Sequence, residues 1–241
     1  MTSIIVPSRF PDIFEQCRVS LDTHAKDTQK ILVRDGHDII DPSGWQTIQA
    51  PDGPFVYSRN VNLGINQTSG NVLLTNDDCQ FVSPDTVSSL EWVLRYNPHI
   101  GILSPRIDGG VGNISQEKVA QTVLYTQQRL AFVCVLIRRE LIKDIGLLDE
   151  RFDGYGAEDT DYCRRAINSG WQLACTDQAL VKHGHGKHTW NSSYKRVSDH
   201  VDHLQLRASQ KYFEKWGDYR FENFNRPKND LVRDWFDTHP H

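Results

Sequence analysis

Short apolar runs broken by polar turns recur along the first half of the chain. Residues 3–6 (Ser-Ile-Ile-Val) predict a buried strand that ends at Pro7. Ile13, Phe14, Cys17 and Leu21 then fall at helical spacing, with Pro11 and Asp12 as the start. Residues 30–33 predict a second strand, closed by Arg34, Asp35 and Gly36. Strand, helix and strand at this spacing make a βαβ unit and a parallel sheet. Residues 58–65 read as a helix start, with polar caps and then an apolar face at Leu63 and Ile65. Gly70 and Asn71 form a turn that feeds a strand over 72–75. That strand stops abruptly on Asn76, Asp77 and Asp78. Pro84 and Asp85 open a helix bearing Val87, Leu90, Trp92, Val93 and Leu94. Residues 101–105 predict a short strand ended by proline.

The second half is less regular. Residues 108–121 are polar and glycine-rich and predict a loop. Residues 130–137 are apolar with β-branched members and predict a strand. A short helix over 139–145 closes at Gly146. Gly154, Tyr155 and Gly156 form a flexible link. A helix over 157–166 follows, with carboxylates in its first turn, where the macrodipole favours negative charge; it stops at Gly170. Residues 171–175 and 179–182 predict two strands, the second running into His183, His185 and His188. Residues 192–216 predict one long amphipathic helix, and a polar tail follows. The pattern is α/β: a Rossmann-like, mostly parallel central sheet flanked by helices, with a C-terminal helical extension.

Ligands of such sheets sit at the carboxyl ends of the strands. Pro7 to Arg9, Arg34 to Gly36 and Asn76 to Asp78 all lie at such ends, so one sheet brings them into one crevice. Acidic residues at a strand exit suit a hard cation held by oxygens, and such a cation carries a phosphate-bearing ligand. A solvated turn is the plain alternative for Asn76 to Asp78.

Composition narrows the class. The chain has 241 residues, 38% hydrophobic and 24% charged, as expected of a water-soluble globular protein with a real core. A formal net charge of −4 argues against a generally basic nucleic-acid binder. The five cysteines are scattered and odd in number, which fits a reducing compartment better than a disulfide framework. No apolar run is long enough to span a bilayer, and no signal peptide is evident. The expected location is cytoplasmic or peripheral at a membrane, and the sequon at Asn191 is idle.

The order of these pieces resembles the family 2 inverting glycosyltransferases of the GT-A fold. The resemblance covers residues 1–216. It rests on the strand ending at Pro7, the Asp35-Gly36 turn, and Asn62-Leu63-Gly64. It continues with residues 70–78, the run Gly146 to Phe152, Glu158-Asp159-Thr160-Asp161, and His183. It implies a GT-A domain over 1–190, with a donor half over 1–105 and an acceptor half over 106–190. Residues 191–241 form a helix and tail packed on that domain.

The resemblance also implies roles. Asp35 contacts the base of a nucleotide-sugar donor (UDP, dTDP or GDP type), with Pro7 and Arg9 lining the same pocket and Asn62 on the donor side. Asp77 lies near the ribose or metal. Asp78 matches the last acid of the family's DxD motif, which reads Asn-Asp-Asp here. With His183, and His185 or His188 as competitors, it holds Mn²⁺ or Mg²⁺ on the donor diphosphate. Imidazole favours Mn²⁺. Asp159 matches the catalytic base, and Glu158 shapes the acceptor pocket. The acceptor is a glycan or another hydroxyl-bearing molecule. Two other classes compete: a nucleotidyltransferase on a related scaffold, and a nucleotide-sugar-binding module without turnover. The first usually carries a glycine-rich loop after its first strand, and Pro7 to Pro11 contains no glycine.

Overall fold

The computed structural model describes residues 1–111, 113–184 and 201–217. The chain opens with strand β1 (Thr2–Ser8), helix α1 (Pro11–His24) and strand β2 (Gln29–Arg34). β1 and β2 pair in parallel, from Ser3 opposite Gln29 to Ser8 opposite Arg34. This is the expected βαβ unit. β3 (Gln46–Gln49) extends it in parallel on the far side of β2. Helix α2 (Tyr57–Ile65) leads to β4 (Asn71–Thr75), which lies parallel on the other side of β1.

Beyond β4 the sheet changes sense. β5 (Cys79–Phe81), α3 (Thr86–Tyr96), β6 (Ile100–Asp108), one-turn α4 (Ile114–Glu117) and β7 (Leu124–Thr126) come next. They are followed by β8 (Cys134–Ile137), α5 (Arg139–Ile145), α6 (Glu158–Asn168), β9 (Gln172–His183) and α7 (Val201–Trp216). β8 inserts antiparallel between β4 and β6. The nine-stranded order is β3-β2-β1-β4-β8-β6-β9-β5, with β7 also on β9. The sheet is therefore mixed: parallel through its first half and at β6–β9, antiparallel where β8, β5 and β7 join.

Alternation along the strands divides the core between two faces. Ile4, Val6 and Leu32 join Phe14, Cys17 and Leu21 of α1 and Leu90 and Val93 of α3. Ile5, Ile31 and Val33 turn the other way, to Val61 and Ile65 of α2, Leu141 of α5 and Tyr162 of α6. β1 is buried along its whole length, as a strand covered on both faces must be.

Several boundaries differ from the sequence pattern. β1 runs through Pro7 to Ser8. Its register with β4 ends at Ile5, so only β2 flanks the proline, and a missing N–H is tolerated there. β6 likewise passes through Pro105, where its register with β9 shifts. β9 is one strand rather than two, because that irregularity absorbs residues 177–179. Residues 130–133 are a buried loop, not strand: Gln116 takes their backbone groups in place of a ladder, bonding both N and O of Ala131. The expected loop over 108–121 contains α4, capped by the Asn113 side chain on Ser115 N and Gln116 N. The helix expected over 192–216 is described from Val201 onward.

Candidate active site

The corner where a metal is expected forms where β4 stops. Asn76 N donates to Val133 O at 2.8 Å, and Cys79 N returns to Asn76 O at 3.2 Å, closing a turn around Asp77 and Asp78. β5 then pairs with β9 so that Cys79 faces His183. Gly184 N donates to Asp78 O at 3.1 Å and locks the two exits together. The side chains of Asp78 and His183 are buried, and Asp78 Oδ2 lies 3.4 Å from His183 Nε2. Neither ring nitrogen of His183 makes a hydrogen bond within the described residues. A buried imidazole with both nitrogens unmet is costly unless something else takes a lone pair.

That pair fits a divalent ion of borderline softness: one carboxylate oxygen, one imidazole nitrogen, and remaining positions for water and ligand oxygens. Among the described residues no set of three His, Cys, Asp or Glu side chains converges. His185, the other expected ligand, and His188 lie outside the described residues. Gly109 is what lets the strands approach. A Cβ there would fall 2.1 Å from His183 O, and φ is +135°.

Asp77 turns toward β1. Ser8 Oγ donates to its Oδ2 at 2.6 Å. Burial first, and the neighbouring Asp78 charge second, push the Asp77 carboxyl up to about 7. The same Ser8 ties this corner to the base pocket, since Asp35 N donates to Ser8 O at 2.8 Å.

Asp35 is buried and heavily engaged. Its Oδ2 accepts from Asn60 Nδ2 at 2.8 Å and Arg59 Nη2 at 3.3 Å. Its Oδ1 lies 3.3 Å from Arg9 Nε. Arg9 also donates to Gly53 O at 2.9 Å. The sequence pattern showed Asp35 and Arg9 but not Arg59 and Asn60, which read as helix-capping polar residues. Pro7 sits one residue before Ser8 on β1, opposite Val33.

The third corner is the start of α6. Ala157 precedes it with φ +73°, the only positive value at a non-glycine among the described residues. Such a conformation is strained by about 1 kcal/mol or more and collects at functional sites. Asp159 Oδ1 accepts from Thr160 N at 2.6 Å and Thr160 Oγ1 at 3.2 Å. Its Oδ2 accepts from Arg129 Nη1 at 3.1 Å. Burial, then the Asp159 charge, push the carboxyl of partly buried Glu158 up to about 8. Arg129 had no signal in the sequence, because it stands in an irregular stretch with no period.

The structure gives contacts within three groups of the expected residues. Arg9 and Asp35 meet Ser8, Ser8 meets Asp77, and Asp78 meets His183. Asp159 pairs with Arg129, which precedes by four residues Val133, the partner of the Asn76 turn. Asn62 is placed otherwise. Its Nδ2 donates to Leu148 O at 2.9 Å and Glu150 Oε1 at 2.8 Å, and its Oδ1 accepts from Leu148 N at 3.0 Å. With every amide atom so committed, it holds the segment that leads to α6 rather than an open pocket. Trp45 packs edge-on to Phe14 with its indole N–H on Asp22. The five cysteines are free thiols, all buried.

Neither a family model nor a curated protein matches the sequence. Solved structures do match. TarS of S. aureus is 15% identical, with a TM-score of 0.62 over 88% of this chain and 43% of that one. The mannosyltransferase PcManGT of Pyrobaculum calidifontis, in complex with GDP-Man and Mn²⁺, is 13% identical, with a TM-score of 0.65 over 97% of this chain and 72% of that one. GalNAc-T7 with UDP, GalNAc and Mn²⁺ is 10% identical, with a TM-score of 0.65 over 99% and 55%. The fold is thus the one seen in GT-A glycosyltransferase structures, a central sheet flanked by helices. This chain spans less than half the length of TarS and about half that of GalNAc-T7.

Proposed function

We propose that this chain is a metal-dependent, inverting glycosyltransferase of the family 2 type, moving a sugar from a nucleoside-diphosphate sugar to an acceptor hydroxyl. The observation that carries the reading is the Asp78–His183 pair, 3.4 Å apart and buried, with no hydrogen bond on the imidazole within the described residues. It lies at the end of a sheet of the same fold as the complexes with GDP-Man and Mn²⁺, and with UDP, GalNAc and Mn²⁺.

Asp78 and His183 would hold Mn²⁺, or Mg²⁺. Such an ion neutralises charge on a departing diphosphate. Asp35, held in place by Arg9, Arg59 and Asn60, presents its carboxylate to a base N–H. Asp77, bonded to Ser8, sits between base pocket and metal corner. Asp159 takes the proton from the acceptor hydroxyl while that oxygen bonds to the anomeric carbon. The bond from that carbon to the diphosphate oxygen breaks on the opposite face, so one displacement inverts the configuration, as it does in inverting glycosidases. Glu158, neutral near pH 7, donates a hydrogen bond on the acceptor side. The acceptor is a glycan or similar polyol.

The test is product analysis with UDP, GDP and dTDP sugars and Mn²⁺. Release of nucleoside diphosphate with a β-linked product from an α-linked donor supports the reading. Pyrophosphate release identifies a nucleotidyltransferase instead, and tight donor binding without any release identifies a binding module.

A further inference from the structure

Arg129 occupies the oxygen that the proposed base needs. Of the two oxygens of Asp159, Oδ1 is turned into its own helix by Thr160, and Oδ2 carries the Arg129 guanidinium at 3.1 Å. With both oxygens engaged, an acceptor hydroxyl reaches Oδ2 only when the Arg129 guanidinium moves off it.

The loop is built so that the side chain moves alone. The Arg129 carbonyl accepts from the Asn113 amide. Two residues on, Gln116 holds Ala131 at both N and O, at 2.8 and 3.0 Å. Leu130 N is bonded to Cys163 Sγ. The backbone is fixed from three sides, while the Arg129 side chain remains 31% exposed. The loop ends at Val133, whose carbonyl accepts from Asn76 N and Cys79 Sγ beside the metal corner. Four residues of chain span at most about 14 Å. The Arg129 backbone therefore lies within that reach of the Asn76 turn while its side chain holds Asp159.

We propose that Arg129 captures a phosphate of the substrate pair and thereby unmasks Asp159. On binding, its guanidinium leaves the carboxylate for phosphoryl oxygens, either of the donor's diphosphate or of a phosphate on the acceptor. A planar fork that fits a carboxylate fits a phosphate equally well, so the exchange conserves its hydrogen bonds. The inference rests on the glycosyltransferase reading for Asp159 as base, but the anion binding itself does not. Arg129 is a positioning residue toward Asp159 and a binding residue toward the anion.

The test compares wild type with Arg129→Ala and Arg129→Lys by calorimetry. The probes are UDP and GDP with Mn²⁺, and glycerol 3-phosphate as a polyol phosphate. Arg129→Ala is expected to weaken at least one probe tenfold or more, with Arg129→Lys recovering part of it. Loss confined to the nucleotides assigns the donor diphosphate. Loss confined to glycerol phosphate assigns an anionic acceptor. In turnover, KM for the assigned substrate rises more than kcat falls, which a general loosening of the fold would not produce. If Arg129→Ala does not fold, Arg129→Lys carries the comparison, with at least a threefold loss expected. The inference is overturned if both variants bind every probe as wild type does, or if wild type binds none. Failure of the glycosyltransferase reading shows separately, as no nucleoside diphosphate released from any sugar nucleotide by wild type.

Discussion

The ammonium of Lys215 lies 2.6 Å from Oδ1 of Asp161, a carboxylate with no exposed surface. The same oxygen accepts from Trp216 Nε1 at 2.9 Å, and Oδ2 from Arg165 Nε at 2.9 Å. Arg164 lies over the Trp216 ring at 4.3 Å. Lys215 also meets Asp149 at 2.7 Å, and Arg207 and Lys211 meet Asp153. Gly154 rests under Leu204 O, which a Cβ would meet at 2.4 Å. Helix α7 is thus fastened along the whole segment that delivers Glu158 and Asp159. These polar contacts surround an apolar cluster of Phe152, Ala157, Ala208 and Tyr212, with Phe213 and Trp216 packed against it.

Asp161→Ala should release that fastening. It removes one partner of a buried charge network, taking the acceptor from Arg165 Nε and the Trp216 N–H and leaving Lys215 with Asp149. The expected cost is about 3 kcal/mol, a fall in Tm of roughly 6–12 °C for a chain of this length. Thermal unfolding checks it. A loss under about 0.5 kcal/mol would show that the helix contributes little to the domain.

Glu158 sets a pH dependence whose sign is fixed by its shift. Its carboxyl rises from 4.5 to about 8 in the folded chain, through burial and then the Asp159 charge. The folded state binds the proton more tightly than the unfolded state does. This contribution to stability is therefore full below pH 4.5 and is lost as pH rises through 8. Glu158→Gln should flatten that slope and raise Tm above pH 8 relative to wild type, by an amount on the order of 1 kcal/mol or more. Parallel Tm profiles for the two proteins from pH 5 to 9 would remove the buried acid from the account.

The frame of this site was legible in the chain, and its clamps were not. Val72 to Asp78 marked a strand exit that a solvated turn fitted as well, and it was the order of the fragments together, through the resemblance, that pointed to Asp78 and His183. Asp35, a turn residue beside Gly36 on its own, took its role from the same resemblance. Arg59, Asn60 and Arg129 carried none, since a polar residue in a helix start or an irregular loop looks the same whether it faces water or a carboxylate three elements away. Asn62 misled for a related cause: it lies close to the pocket in sequence, but its amide is spent on Leu148 and Glu150. The short strands β3, β5 and β7 were invisible because they are three or four residues long and gain their order from neighbours.

Gly109→Ala probes the metal corner without touching a ligand. The new methyl group would meet the His183 carbonyl at 2.1 Å, so β6 and β9 must part there. Mn²⁺ affinity, followed by electron paramagnetic resonance, should fall tenfold or more, and His183→Ala should match or exceed that fall. The same titration on Asp78→Ala tests the carboxylate ligand. Wild-type affinity in all three variants would mean that the ion binds elsewhere or not at all. Activity abolished by EDTA and restored by Mn²⁺ is the matching outcome for the intact protein.

Asp159→Asn separates the chemistry from the binding. The amide keeps the shape of the side chain and an oxygen that Thr160 N can use, but it cannot take up a proton from the acceptor. With Arg129 the pair loses its charge attraction, so the guanidinium is freed toward any bound phosphate, and donor affinity should hold or improve slightly. Transfer should fall by about 10²–10⁴-fold, the range that general base catalysis contributes. Calorimetry with UDP or GDP and Mn²⁺ measures the first quantity, and release of nucleoside diphosphate in the presence of acceptor the second. Loss of both together would make Asp159 a structural partner of Arg129. Turnover near the wild-type rate with normal binding would move the base elsewhere, and Glu158, on the same turn of α6, would be the next carboxylate to replace.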